Sequence, residues 1–344
     1  MFWDKKKNAS FRPFSGATNV SCRGRSYLLQ KALVDFGSDD SFEKACKKVK
    51  EHYGVDIASS TTRLDVEKHA KIMYEMVDKK VLIVIPKNEA AVVIGETDGC
   101  MIPVTTAKEA LDNPNDQRKN KSHEWKEARL ALARAKGSVD PVYAATLGSV
   151  NDAGTNLANV VKSAGECKRT KIHCLGDGAP WIAEQIETLF GSKATFLLDF
   201  FHASDYLALA ATCCNSNKPR DWMHEQQELL KNNMAHQVLQ NIQDHLQFCT
   251  TKENCPAVKC FNYLSKRLHQ LNYKGALEEG LPIGSGEIES GHRSVIQARL
   301  KIPGAWWDIN NAEKMLALRT VRANGLWSKY WTTIQPSSSM QAFG

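Results

Sequence analysis

Between residues 91 and 213 the hydrophobic pattern changes period from segment to segment, and this alternation limits the fold more than any other feature. Ala91-Val92-Val93-Ile94-Gly95-Glu96-Thr97 reads as a buried strand, Asp98-Gly99 as a turn and Cys100-Met101-Ile102-Pro103-Val104-Thr105 as a second strand. Asp-Gly between two apolar runs is the signature of a two-residue hairpin. Residues 129–135 fit a strand or a helix by pattern. Lying after Trp125 and before Gly137, they are taken as the third strand, and residues 143–146 extend that region. A helix is expected over 151–162, then a strand over 171–177 that ends in Gly-Asp-Gly. Pro180 suits the first turn of the next helix, whose apolar stripe is Ile182, Ile186, Leu189 and Phe190 and which stops at Gly191. Residues 195–199 form a further strand and 203–213 a further helix. The order β-β-β-α-β-α-β-α predicts an α/β chain with a mixed sheet and helices on it.

Helical patterns flank this core. Asp40 or Ser41 caps a run in which Phe42, Ala45, Val49 and Tyr53 recur at helical spacing, and Gly54 ends it. The turn Val55-Asp56-Ile57-Ala58 leads to Ser59-Ser60-Thr61-Thr62 and a second helical run from Arg63 to Met76. This is the layout of a helix-turn-helix, and equally of an αα-hairpin with no DNA role. In the first case Ser59, Ser60, Thr61 and Arg63 lie where such motifs meet bases and phosphates. Residues 215–280 are helical and polar, with a partial stripe of Leu229, Leu230, Leu239, Ile242 and Leu246. Gly284-Ser285-Gly286 opens a helix running through Leu300. Pro303-Gly304 breaks it, Trp306-Trp307 follow, and 312–321 is helical again. The expected organisation is a tail over 1–20, a helical region over 21–80, the core over 85–214, a helical segment over 215–280, the last part of the core over 281–331 and a flexible tail over 332–344.

Composition narrows the class. The chain is 42% hydrophobic and 24% charged, near the soluble average, which excludes a disordered or collagen-like chain. No uninterrupted apolar run exceeds about six residues, whereas a spanning helix needs roughly 18. The N-terminus, Met1-Phe2-Trp3-Asp4-Lys5-Lys6-Lys7, lacks the apolar stretch of a signal peptide, so a cytoplasmic protein without a membrane partner is expected. Lys and Arg outnumber Asp and Glu 45 to 38, for a net charge of +7. That permits a polyanionic partner without requiring one. None of the ten cysteines forms Cys-x-x-Cys. Cys249, Cys255 and Cys260, near His245, are either ordinary thiols or a small zinc site.

Three acids stand out by position. Asp98 ends the first expected strand, Asp177 lies at the C-terminal end of a later one, and Glu289 lies in the first turns of the late helix. Ligands of open α/β sheets bind outside the carboxyl ends of the strands, where two acids and a third from a helix can converge. Converging carboxylates repel and are costly to bury without a cation. A hard divalent ion resolves this, and a pair of such ions clamps the attacking and leaving oxygens of a phosphoryl displacement. Each acid alone also reads as an ordinary strand-end or helix-start residue. Glu287 and Glu289 lie roughly 200° apart on a helix, so only one can face such a site.

At these residues the sequence resembles bacterial insertion-sequence transposases of the ISKra group, which are akin to Mutator-like transposases. Cys22-Arg23-Gly24-Arg25, Asp35-Phe36-Gly37 and Glu51-His52-Tyr53-Gly54 resemble that family's N-terminal region. Tyr143-Ala144-Ala145-Thr146-Leu147-Gly148, Leu175-Gly176-Asp177-Gly178-Ala179-Pro180-Trp181-Ile182, Asp199-Phe200-Phe201-His202-Ala203 and Gly284-Ser285-Gly286-Glu287-Ile288-Glu289 resemble its core. The resemblance implies an RNase H-like fold, an all-helical insertion before the last catalytic helix, and DDE-type DNA transposition. Asp98, Asp177 and Glu289 would be the catalytic, metal-binding acids, with two Mg²⁺ (or Mn²⁺) ions and no organic cofactor. Glu289 is chosen over Glu287 because the family's Gly-Ser-Gly turn places its acid there. Asp199 and His202 match an Asp-x-x-His signature, although Asp199 also suits the second-acid role and His202 a structural one.

His292 and Arg293 share the face of Glu289 and either touch the scissile phosphate or pair with acids. Arg299 and Lys301, with Trp306 and Trp307, either hold a DNA end by phosphate contact and base stacking or are core tryptophans beside solvated charges. The implied partners are double-stranded DNA, as terminal inverted repeats and target, and further copies of the chain assembled on that DNA, with nucleoid association when bound. The alternatives are a hydrolytic nuclease on the same fold and a catalytically silent, co-opted DNA-binding protein. Two departures stand out: the N-terminal segment is short for the family, so an upstream DNA-binding portion is expected to be missing, and Glu96-Thr97-Asp98-Gly99 is looser than the family's usual aspartate strand.

Overall fold

The computed structural model describes residues 2–4, 9–11, 20–21, 24–107, 121–246 and 255–335. They divide into two units. Unit 1 comprises Met1–Val84, Met101–Glu127 and Arg293–Gly344; unit 2 comprises Ile85–Cys100 and Ala128–His292.

Unit 1 opens with two small antiparallel ladders: Phe2–Asp4 with Ala9–Phe11, in the expected tail, and Val20–Ser21 with Arg25–Ser26, at the start of the region expected to be helical. Three helices follow: α1 (Tyr27–Asp39), α2 (Phe42–Tyr53) and α3 (Ser59–Asp78). Ser41 caps α2 by accepting a hydrogen bond from the Lys44 amide, and Gly54 ends it at φ +67°. These are the start and stop signals the sequence carries. Helix α1 lies in the region expected to be helical, although no separate helix was assigned there. Its N-terminus is capped by Ser26, which accepts from the Leu29 amide.

Unit 2 is a mixed α/β body. Strands β1 (Val92–Ala107), β2 (Lys121–Ala135) and β3 (Val142–Thr146) precede α4 (Val150–Ser163), β4 (Lys171–Gly176), α5 (Pro180–Phe190), β5 (Ala194–Leu198) and α6 (Phe200–Cys214). Residues 92–100 of β1 and 128–135 of β2 belong to this unit. The strand order is β3-β2-β1-β4-β5. β2 and β3 are antiparallel, whereas β1, β4 and β5 run parallel. The Lys136 amide at the end of β2 donates to the Val92 carbonyl at the start of β1, so those two strands are antiparallel.

The expected hairpin at Asp98-Gly99 does not form: β1 runs straight through it. A two-residue hairpin needs positive φ at its central residues, and neither Asp98 nor Gly99 has it. Asp98 therefore projects from the middle of a long strand. The remaining elements of the alternation lie where the sequence places them, with ends shifted by a few residues, except that the strand expected over 129–135 already begins at Lys121.

Side chains alternate across the strands. Val93, Ile172 and Cys174 pack under α4 and α5 with Leu157, Val161, Ile182 and Ile186. Ile94, Leu175, Leu197 and Leu198 pack with α6 and with the helices that follow. Those are α7 (Pro219–Lys231), α8 (Ala235–Leu246), α9 (Pro256–Ser265) and α10 (Tyr273–Glu278). Leu157 is fully buried, so truncating it to Ala removes about 2–5 kcal/mol. Cys255 and Cys260 are buried in this part, and Cys249 lies outside the described residues. Helix α11 (Gly286–Gly291) ends the unit and runs into a π-helical stretch, His292–Gln297, and Ala298–Leu300.

Unit 1 resumes in that stretch. The short strand β6 (Trp307–Asp308) pairs parallel with β1, Trp307 opposite Val104. Helices α12 (Ile309–Ala323) and α13 (Trp327–Ile334) follow. The described helices are none of them long and apolar enough to cross a membrane.

A buried polar network ties α1, α3 and α13 of unit 1. His69 is 2% exposed. Its Nδ1 lies 2.6 Å from the Tyr330 hydroxyl and its Nε2 3.1 Å from Gln30 Oε1. An Nε2–H donor to Gln30 and a Tyr330 O–H donor to Nδ1 satisfy both nitrogens of a neutral ring. Burial, with a smaller contribution from Lys68, pulls the His69 pKa down to about 4. The unfolded ring takes up its proton near pH 6.5 and the folded one only near 4. The stability from this neutral ring is therefore complete above about pH 6.5 and is lost as pH falls toward 4. We expect the urea midpoint to drop between pH 7 and 4, and to drop less steeply in His69→Gln, whose amide takes up no proton.

Candidate functional site

The described part of unit 2 contains a cleft of about 170 Å³ at the carboxyl ends of its parallel strands. Its lining includes Asp98 from β1, Asp177 from the loop after β4, and Glu289 from α11. The three acids singled out in the sequence thus line the same cleft, with Asp199, His202, Asp205, Phe201 and Ser285. Asp98 and Asp177 are half-buried and Glu289 is exposed.

Local chemistry explains each placement. Asp177 Oδ1 accepts from the Ala179 amide at 2.9 Å, which turns the chain from β4 into α5. Helix α9 and the residues just after it clasp this loop: the Tyr263 hydroxyl donates to the Asp177 carbonyl at 2.6 Å, and Arg267, past the helix end, donates to the Gly178 carbonyl at 2.8 and 3.1 Å. The Arg267 guanidinium lies over the Tyr263 ring, which stacks on Tyr206 at 3.9 Å. Gly178 sits in the middle at φ +82°, where a Cβ would stand 2.5 Å from Leu198 Cδ1 and 2.6 Å from Arg267 Nε.

Asp199 is nearly buried and its oxygens are fully engaged. Oδ1 accepts from the Phe201 and His202 amides at 2.6 and 2.9 Å, capping α6. Oδ2 accepts from the Ser285 amide at 2.6 Å and from the Ser285 hydroxyl. Asp199 therefore joins the start of α6 to the turn that launches α11. That separates it from Asp177, the other acid suited to the second position.

Glu287 and Glu289 part as the helix geometry requires. Both oxygens of Glu287 are held by Arg134 at 2.5–2.9 Å, and Glu287 does not line the cleft. Glu96, which the sequence reading passed over, lies one strand repeat before Asp98 and is 1% exposed. Its Oε2 accepts from the Ile288 amide at 2.8 Å, tying β1 to α11. Burial, reinforced by Glu287 and Asp199 against the Ile288 hydrogen bond, pushes its pKa up to about 8. The period of two, which places residues 96 and 98 on one face, was the signal available.

His292 is buried, with Nε2 3.4 Å from Asp98 Oδ2. Burial disfavours its charge, but the Asp98 carboxylate and Cys100 outweigh that and hold its pKa at about 9. It pairs with an acid, one of the two roles open to it. His202 is exposed at the rim, its ring edge-on to Tyr206.

The other expected site residues lie in unit 1. Arg293 is exposed on the π-helical stretch. Ser59, Ser60 and Arg63 are exposed in the first turns of α3, and Thr61 is half-buried. Trp307 follows the core alternative left open for it, whereas Arg299 is neither a surface contact nor a solvated charge. Arg299 is 2% exposed, its guanidinium 4.7 Å from the ring centroids of both Phe42 and Trp307 and its Nε donating to the Gly37 carbonyl. Trp307 is buried beside it. Neither presents a surface to DNA. Lys301 and Trp306 remain exposed.

The donor set suits a hard cation: the cleft offers carboxylates and no thiolate, and hard cations take oxygen ligands. With Asp199 saturated, the remaining acids are Asp98, Asp177, Asp205 and Glu289. As they stand, no three His, Cys, Asp or Glu side chains among the described residues gather closely enough to hold an ion.

The loop predicts a clear contrast. Gly178→Ala combines positive φ with a blocked Cβ and should cost about 1–3 kcal/mol. Gly54→Ala, at φ +67° with open space around it, should lose only the conformational part, about 1 kcal/mol. Thermal denaturation of the two variants measures the difference.

Residues 25–330 match the Uncharacterised protein family (UPF0236). The UPF0236 protein in vanSb 3'region of Streptococcus gallolyticus is 25% identical over 236 residues, covering 64% of this chain and 50% of that protein. The chain thus spans about half the length of the curated relative it matches. Among solved structures, a pre-cleavage Mos1 transpososome aligns at TM-score 0.19 with 10% identity, over 72% of this chain and 78% of that one. The Mos1 transposase paired-end complex with left transposon end aligns at TM-score 0.19 with 11% identity, over 77% and 80%. Similarity at this level fixes neither fold nor function.

Proposed function

The chain belongs to the UPF0236 family, and we propose that it is a DDE-type DNA transposase of insertion-sequence kind, built on an RNase H-like core. The observation that carries this reading is the cleft that Asp98, Asp177 and Glu289 line together, although they come from a mid-sheet strand, a strand-end loop and a late helix. The mixed sheet and the sequence blocks that resemble such enzymes support it. The reaction has two stages. Water attacks a phosphodiester at each element end and frees a 3′-hydroxyl; that hydroxyl then attacks a target phosphodiester, so the joining step makes one such bond for each it breaks.

Asp98, Asp177 and Glu289 would hold Mg²⁺ or Mn²⁺, which when bound supplies activation of the attacking oxygen and charge compensation at the leaving one. The chain's own residues set the frame. Asp199 and Glu96 fix α11, and with it Glu289, against the sheet. Tyr263 and Arg267 hold the loop of Asp177. His292, 3.4 Å from Asp98, would help to position it. The first turns of α3 would read the terminal repeats of double-stranded DNA, and two ends would be brought together by at least two copies of the chain.

The test is Mg²⁺-dependent cleavage and joining of terminal-repeat DNA. Loss of groups that merely support metal ligands costs about 10–100-fold, so Asp98→Asn, Asp177→Asn and Glu289→Gln should each cost at least about a hundredfold and retain DNA binding. Full activity in the triple Ala variant would refute the assignment. Asp199→Asn behaves differently. It strands buried donors, lowers stability by about 1–3 kcal/mol and shows in a melting curve, whereas Asp177→Asn leaves the melting temperature nearly unchanged.

A further inference from the structure

Unit 1 carries a second cluster of chemically distinctive side chains. Lys121, His123 and Trp125 are alternate residues of β2 and share one face of the strand; all three are exposed. Trp306 stands against them, its ring centroid 4.7 Å from that of His123 and 6.1 Å from that of Trp125. Lys301 Nζ lies 5.9 Å from the centroid of the Trp125 ring. Trp125 is 55% and Trp306 42% exposed, against 6% for the adjacent Trp307.

Two indole rings left in water at this separation do not serve a core. Their cationic neighbours argue for an anionic partner with flat apolar parts. Single-stranded nucleic acid has both: bases that stack on aromatic faces and phosphates that meet lysines. Paired bases are already stacked on one another and offer no free face.

The geometry points to a binding site for single-stranded DNA, in which unpaired bases stack on Trp125 and Trp306 and the backbone phosphates meet Lys121 and Lys301. The choice of DNA rests on the function proposed above, but the patch uses neither the acids nor a metal.

Binding is therefore measured on the full chain in EDTA, by fluorescence anisotropy. The probes are a labelled thymidylate strand about 20 nucleotides long, longer than the site of one binding fold, its abasic counterpart, and a duplex of equal length. The thymidylate strand should bind about tenfold or more tighter than the abasic one, and tighter than the duplex. Trp125→Ala and Trp306→Ala should each weaken thymidylate binding about tenfold and remove most of that preference. Trp125→Phe and Trp306→Phe, which keep a ring, should retain it. Lys301→Ala should weaken both single strands alike and flatten the salt dependence. Unchanged thymidylate binding in both Ala variants overturns the site, as does an equal loss for thymidylate and abasic strands, or a Phe variant as weak as its Ala counterpart. Because EDTA removes strand breakage from the assay, an inactive enzyme that passes this test refutes only the transposase reading. An active one that fails it refutes only the patch.

Discussion

The cleft depends on one carboxylate that has no oxygen left for a ligand. Asp199 accepts two amides from the start of α6, and the amide and hydroxyl of Ser285. A buried charge so satisfied is stable without a counter-ion, because four oriented dipoles replace water. The Phe200 amide adds a bond to the Ile283 carbonyl alongside. The turn before α11 is thus fixed to the sheet edge, and α11 can present Glu289 only in the direction this anchorage allows. Glu96 and the Arg134–Glu287 pair complete the restraint from the β1 and β2 side.

Acidic residues here divide by the number of donors they meet. Asp199 and Glu287 are consumed by hydrogen bonds and an ion pair, Glu96 is buried and biased toward its protonated form, and Asp98 lies beside the His292 imidazole. Glu289 is exposed where it lines the cleft. A sequence motif treats all of these as equivalent. The structure distinguishes the acids held by several donors from those that line the cleft.

Much of this was legible in the sequence where the signal is local. Pro180 and Gly191 bracket α5, Ser41 and Gly54 bracket α2, and the period change marks the later strands. The hairpin at Asp98-Gly99 was misread because a dipeptide suited to a turn is also tolerated in a long strand when its φ angles stay negative. Within the region expected to be helical, α1 was not singled out because Leu28, exposed in its first turn, blurs the stripe. Arg299 was misplaced because a basic residue near tryptophans looks the same on a surface and in a cation–π stack. Only Phe42 and Gly37, far away in the chain, decide which it is. The saturation of Asp199 was equally invisible, since it depends on Ser285.

The clasp of Tyr263 and Arg267 on the Asp177–Gly178 loop has an evolutionary consequence. Surface additions between core elements commonly drift freely, but this helical segment touches the backbone that aims an acid. Exchanging it between relatives would move that backbone unless the grafted piece carried both the phenol and the guanidinium. The segment and the loop are thereby bound to diverge together.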